Sequence, residues 1–281
     1  MDVLLSGRGL VESPRWHADR LWFGDWTAGE IIAVDDAGAN VVVRHRALPL
    51  CFDFLPDGRL VLVSNQQRAL LTAGADGSFQ TYADLSALPP AGWNDIVIDG
   101  RGNAYVNSPN FDFATGPPPG GTQPGVVALV TADGSARIVA EDIAFPNGMA
   151  VTADNTTLLV ADSYRHCLVG FDIAADGRLS GRRVWAELGE DAPDGICVDA
   201  EGAAWYADVP HQHCVRVREG GEVAATVDLD RGGFACMLSA TDLYVVAAKW
   251  PGAAALMTHT DWDGQLLRTP VRVGRAGWPG N

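Results

Sequence analysis

The 281-residue sequence predicts an all-β fold: a six-bladed β-propeller with four-stranded blades around a central channel, one domain over residues 1–281. Three observations carry that reading. Short apolar-alternating runs recur from positions near 12, 51, 94, 147, 194 and 235, spaced 39 to 53 residues apart. Between these starts falls a second set of turn signals, so each repeat holds four strand-like runs and two hairpin turns, the unit of a propeller blade. No segment keeps a 3.6-residue period through three turns, which leaves little room for helix.

Blade one starts at Glu12-Ser13-Pro14-Arg15-Trp16 and returns through Arg20-Leu21-Trp22-Phe23. Blade two starts at Cys51-Phe52-Asp53-Phe54 and turns at Asp57-Gly58. Blades three, four and five are the most alike. Asn94-Asp95-Ile96-Val97, Asn147-Gly148-Met149-Ala150 and Asp194-Gly195-Ile196-Cys197 align without gaps, and each run turns at an Asp into a second apolar run. Blade six is carried by Ala235-Cys236-Met237-Leu238 and Leu243-Tyr244-Val245-Val246. The second hairpins are marked by Asp36-Ala37-Gly38, Asp76-Gly77, Asp133-Gly134, Asp176-Gly177, Glu219-Gly220-Gly221 and Asp263-Gly264. Closure of the ring needs the two ends joined, and Val3-Leu4-Leu5 is expected to pair near Val271-Arg272-Val273. A lone Trp262-Asp263 does not make a WD40 pattern. The segment 108–124, with three consecutive prolines, reads as an irregular loop serving as a lid or as surface decoration.

Twenty basic against 35 acidic residues give a formal charge of −15, which argues against a nucleic-acid partner and against an anionic membrane surface. No apolar run approaches the roughly 20 residues that span a bilayer. The first residues lack the basic start and apolar stretch of a signal peptide, and five cysteines with no C-x-x-C pair suit a reduced, cytoplasmic protein.

In a propeller the first strand of each blade lines the channel. That geometry gathers Glu12, Asn94, Asn147 and Asp194 at one channel mouth. Two carboxylates crowded in an apolar channel repel and lose hydration, so an all-oxygen set suits a hard divalent cation, Ca²⁺, Mg²⁺ or Mn²⁺, with Zn²⁺ or Fe²⁺ also compatible. The plainer account is that these residues make turn hydrogen bonds before each strand.

With Glu12-Ser13-Pro14-Arg15-Trp16, Asn94-Asp95, Phe145-Pro146-Asn147-Gly148-Met149, Pro193-Asp194-Gly195 and Ala235-Cys236-Met237-Leu238, the whole chain resembles the SMP-30/gluconolactonase/luciferin-regenerating family of six-bladed propellers. The resemblance implies that Glu12, Asn147 and Asp194 hold one divalent cation, with Asn94 beside it contacting substrate or a cation-bound water. Sugar-lactonase members often carry Arg two positions before the residue matching Asn94. Here Gly92 stands there, followed by Trp93, which favours a less polar or larger ring than an aldonolactone.

Loops at the same mouth add candidate substrate contacts: Trp26, Trp93, Asn94, Tyr164 and His211. His211 and His213 read as an acid/base pair, as extra metal ligands or, more plainly, as solvated loop residues. The function this implies is a metal-dependent hydrolase opening a lactone or related cyclic ester of a small molecule. Asp194 is then ligand and proton acceptor, and Asn94 donor to the oxyanion. No G-x-S-x-G elbow supports a serine triad. Two alternatives share the fold: a metal-dependent tailoring enzyme (cyclisation, dehydration or non-lactone hydrolysis), and a non-catalytic binding propeller with a structural cation. The sequence leaves oligomeric state open.

Overall fold

Strands account for nearly all the regular structure, and their pairing follows the repeats. In a computed structural model, the described residues are 1–74, 76–90, 92–112, 115–116, 121, 123–252, 255 and 258–280. Five sheets take their strands in chain order. Blade one is β2 (Val11–His17), β3 (Arg20–Asp25), β4 (Glu30–Asp35) and β5 (Gly38–Arg44). Blade two is β6 (Phe52–Phe54), β7 (Leu60–Ser64), β8 (Ala69–Ala73) and β9 (Phe79–Asp84). Blade three is β10 (Ile96–Ile98), β11 (Ala104–Ser108), β12 (Gly125–Val130) and β13 (Ala136–Ile143). Blade four is β14 (Pro146–Val151), β15 (Thr157–Asp162), β16 (Cys167–Ile173) and β17 (Leu179–Glu187). Blade five is β18 (Pro193–Asp199), β19 (Ala204–Asp208), β20 (His213–Val217) and β21 (Val223–Asp228), widened by the two-residue β25 (Arg275–Ala276).

The sixth blade closes the ring from both ends of the chain. Its strands β22 (Gly232–Leu238), β23 (Asp242–Ala248) and β24 (Gly264–Pro270) take β1 (Asp2–Arg8) as the outer strand. Val3 faces Leu267, so closure occurs as expected, but on residues 264–270 rather than near Val271. The residues beyond instead add Arg275–Ala276 to the edge of β18. For the same reason Asp263-Gly264 opens a strand and turns no hairpin: the outer strand arrives from the other end of the chain.

Burial runs radially. The inner strands β6 and β10 are wholly buried, whereas β5 and β21 alternate toward solvent. Apolar side chains fill the wedges between neighbouring sheets, as with Trp93, Ile96 and Val106 of blade three against Val61, Val63 and Leu70 of blade two. Aspartates build the turns: Asp57, Asp76, Asp133, Asp154 and Asp176 at the exposed periphery and the buried Asp99 and Asp199 each accept the N–H two residues ahead. Seven of the 35 acidic residues therefore belong to local turn geometry. Among the described residues no helix is long and apolar enough to cross a membrane. The five cysteines are free and buried. Of the 108–124 loop, residues 113, 114, 117–120 and 122 lie outside the described residues, and the expected lid with them.

Candidate active site

Five of the six blades send their starting residue to one place, and the remaining one reaches it one residue later. Glu12, Cys51, Asn94, Asn147 and Ala235 line a single cavity of about 20 Å³, and blade five contributes Gly195, next to Asp194. That volume admits one water or one ion. Strand pairing slips between Glu12 and Arg15, Pro146 and Met149, Pro193 and Ile196, and Gly233 and Ala235. Such bulges re-aim side chains at strand ends, and three of them fall at Glu12, Asn147 and Asp194. The chain is tight here. A Cβ on Gly148 would lie 2.6 Å from the Asp194 carbonyl oxygen, and one on Gly195 would fall inside Ala235. These glycines follow the polar residues because neighbouring inner strands leave no room for a side chain.

Hydrogen bonds fix the donors. The Asn94 N–H donates to the Asn107 carbonyl at 2.8 Å and its side-chain amide reaches the Pro146 carbonyl at 3.4 Å. The Asn147 amide nitrogen donates to Ser163 Oγ at 3.3 Å and bonds the Asp194 carboxylate, so its carbonyl oxygen, not its nitrogen, is the atom able to meet a cation. Glu12 accepts the Ser13 N–H at 2.5 Å, with Ser13 in a left-handed conformation at φ 53°.

Beneath this layer sits a buried ionic network that sequence reasoning missed. Arg15 donates to Asp95 Oδ1 at 2.9 Å and to the Ile96 carbonyl at 2.8 Å, and its Nε lies 3.7 Å from Asp53 Oδ1. Asp95 also accepts the Met149 N–H, and Asp53 the N–H groups of Ile98 and Phe54. The available signal was a carboxylate between Phe52 and Phe54 in an apolar strand, a placement that needs a buried partner.

Burial, first of all, pushes the Glu12, Asp95 and Asp194 carboxyls above their ordinary values, and Asp53 up to about 6. For Asp194 the neighbouring charges of Glu12, Asp95 and Asp208 add to this, while the Asn147 hydrogen bond opposes it. Asp53 and Asp95 pair with the Arg15 guanidinium, and together with Glu12 and Asp194 the four buried carboxyls exceed that one cation by three negative charges when all are ionised. The oxygen donors, the ion-sized cavity and this excess charge fit a divalent cation.

Residues 10–249 match the family described as SMP-30/gluconolactonase/LRE-like region. The chain belongs to that family. Among curated relatives, a 6-deoxy-6-sulfogluconolactonase from Pseudomonas putida is 24% identical over 226 residues, covering 78% of this chain and 75% of its own. A solved luciferin-regenerating enzyme superposes with a TM-score of 0.80 at 20% identity, covering 97% of this chain and 95% of that one. A calcium-binding regucalcin from Agrobacterium tumefaciens gives 0.77 at 21% identity, covering 98% and 94%. Members of the SMP-30/gluconolactonase/LRE-like family thus share the six-bladed ring described above.

The expected rim residues divide. Trp26 lines the cavity. Tyr164, 65% exposed, lies 4.7 Å from the Phe145 ring, which lies 6.0 Å from Phe111, so three aromatics form a shelf beside Asn147. Trp93 is corrected: it is 1% exposed within the apolar wedge between blades two and three, because its backbone is clamped on both sides by the Asn65 amide. His211 does not line the cavity. It joins His213, Asp191 and Asp208 in a separate cluster instead of standing free in solvent. Gly92 has a steric cause: a Cβ there would lie 2.7 Å from the Phe111 carbonyl oxygen, and the Ser108 hydroxyl donates to the Gly92 carbonyl. The chain at 108–112 fills the space an arginine would need.

Proposed function

We propose that the chain is a metal-dependent hydrolase that opens a lactone or related cyclic ester. The observation that carries this is the convergence of Glu12, Asn94 and Asn147 on one ion-sized cavity, with Asp194 bonded to Asn147 and electrostatically coupled to Glu12. The relatives named as lactonases support the reaction class.

Glu12, Asn147 and Asp194 would hold the cation, which when bound supplies Lewis acidity toward a carbonyl oxygen and toward water. The chain's own residues do the rest. The Asp194 carboxylate accepts a proton from the attacking water and returns it to the ring oxygen as the C–O bond breaks. The Asn94 side-chain amide donates to the oxygen that gains charge as the carbonyl carbon becomes tetrahedral, an interaction that strengthens in the transition state. Arg15, fixed by Asp95 and Asp53, keeps a permanent positive charge under the carboxylates. Phe111, Phe145 and Tyr164 offer an apolar shelf with few rotors to freeze. With backbone packed against Gly92, that shelf favours a ring less polar than a sugar lactone.

Turnover of a lactone panel with and without EDTA, in the native chain and in Asp194→Asn, tests the reading. The expectation is chelator-sensitive turnover and a loss of roughly 10²-fold or more in Asp194→Asn with an intact fold. Unchanged turnover in a folded Asp194→Asn would overturn the assignment. Cation-dependent binding without turnover of any lactone would point to a different reaction at the same site.

A further inference from the structure

Blade five carries a second group of metal-ligating side chains that the reaction above does not use. Asp191 stands on the connector into β18, Asp208 ends β19, His211 lies in the following turn and His213 opens β20. One ligand atom from each lies within 4.8 Å of the others.

Part of this arrangement is ordinary scaffolding. At the end of the second strand, Asp25, Asp162 and Asp208 each receive two backbone N–H groups that tie down the connector or turn: Gly9 and Ala28, Ala144 and Phe145, Ala192 and His211. Three residues later blade one has Ala28 and blade four has Arg165, 3.4 Å from Asp162. Blade five alone of these three adds two imidazoles and a further carboxylate. The scaffold role of the aspartate, met in blade one without any of them, does not explain that addition.

The imidazoles hydrogen-bond the carboxylates at distances that a coordination shell also spans. His211 Nδ1 lies 2.9 Å from Asp208 Oδ2 and 3.5 Å from Asp191 Oδ1, while His213 Nε2 lies 3.0 Å from Asp191 Oδ2 and 3.8 Å from Asp208 Oδ2. Bonds of about 2.0–2.1 Å in a tetrahedron place neighbouring ligand atoms about 3.3 Å apart, in the middle of that range. The carboxylates are oriented from behind, as outer-shell partners orient metal ligands. The Tyr206 hydroxyl donates to Asp191 Oδ2 at 2.6 Å, the Ala192 N–H donates to Asp208 Oδ2 at 2.9 Å, and the His166 imidazole donates to the Asp191 carbonyl at 2.9 Å. Asp208 is wholly buried, Asp191 and His213 mostly so, and His211 opens to solvent, which gives an ion a way in.

We infer that Asp191, Asp208, His211 and His213 form a second metal site, tetrahedral and selective for a borderline transition ion of the Zn²⁺ class, distinct from the all-oxygen channel site. Two carboxylates and two neutral imidazoles neutralise such an ion. Loading ties the connector that bears Asp191, three residues before Asp194, to the β19–β20 turn.

The chelator-stripped chain is titrated with Zn²⁺ and, separately, Co²⁺, alongside His211→Ala/His213→Ala and Glu12→Gln/Asp194→Asn. The expected result is the intense visible absorption of tetrahedral Co²⁺ in the native chain. It should persist in Glu12→Gln/Asp194→Asn, and disappear with the loss of one Zn²⁺ equivalent in the double histidine variant. Should either variant fail to fold, X-ray absorption on the Zn²⁺-loaded native chain decides the matter, because imidazole scattering arises from the rim site and not from the oxygen-only channel. A metal shell without imidazole, no tetrahedral Co²⁺ spectrum, or an undiminished spectrum in the folded double histidine variant would each overturn the inference. None of these outcomes depends on lactone turnover.

Discussion

Replacing Arg15 by methionine removes the one guanidinium beneath the channel carboxylates while keeping most of the side-chain volume. Arg15 is 4% exposed, donates to Asp95 at 2.9 Å and to carbonyls of Ile96 and Pro14 at 2.8 and 3.0 Å, and faces Asp53 at 3.7 Å. Its loss strands two buried carboxylates, although Asp53 keeps the N–H groups of Ile98 and Phe54, and Asp95 that of Met149. Breaking a buried pair from one side costs about 3–5 kcal/mol. A chain somewhat longer than 250 residues shifts by roughly 2–4 °C per kcal/mol, so the melting temperature should fall by about 6–20 °C. The deficit should be larger at pH 8 than at pH 5, because Asp53, already pushed up to about 6 by burial, sheds its uncompensated charge by protonation. Thermal melts of both chains in chelator at the two pH values measure this. A loss below about 1 kcal/mol at pH 8 would refute the view that Arg15 is the principal counter-charge of the channel.

Three further outcomes are expected. In chelator, the native chain's unfolding free energy should fall as pH rises from 5 to 8. The raised carboxyls of Glu12, Asp53, Asp95 and Asp194 make the folded state hold more protons than the unfolded, with Asp53 alone contributing on the order of 1 kcal/mol between pH 5 and 8. Saturating divalent cation should flatten that slope in urea titrations, and a chelated slope that is flat or rising contradicts the reading. Gly148→Ala should cost about 1–3 kcal/mol, since its Cβ would meet blade-five backbone 2.6 Å away, and a native melting temperature would show that the inner strands yield freely. Tyr164→Ser, at an exposed ring, should leave stability within about 0.5 kcal/mol while raising KM for apolar-ring lactones several-fold. An unchanged KM across such substrates would remove the aromatic shelf from the substrate site.

The repeat pattern makes the blades legible because hairpin turns and strand alternation are local. Asp and Gly punctuate the hairpins within a few residues, and the starts at 12, 51, 94, 147 and 235 reach the cavity in register, with blade five reaching it through Gly195. The placement of Glu12, Asn94 and Asn147 at the cavity was legible for the same reason: a residue fixed in a repeat is fixed in the ring. What failed were inferences needing the third dimension. Trp93 follows Gly92 in a mouth loop, yet its indole turns into the wedge between two blades. The terminal run at 271–273 looked suited to closure, but β1 found its partner at residues 264–270.

The sequence by itself determined the architecture and the polar residues at four of the six blade starts, since both are periodic and set by local turns and alternation. Only the tertiary structure decided what surrounds those residues. Arg15, Asp53 and Asp95 meet across sequence separations of 38 to 80 residues, and His211 and His213 meet Asp191 by the folding of one connector against one turn. Charge balance in a buried channel depends on which side chains share a low-dielectric volume, and that is a property of the closed ring rather than of any repeat.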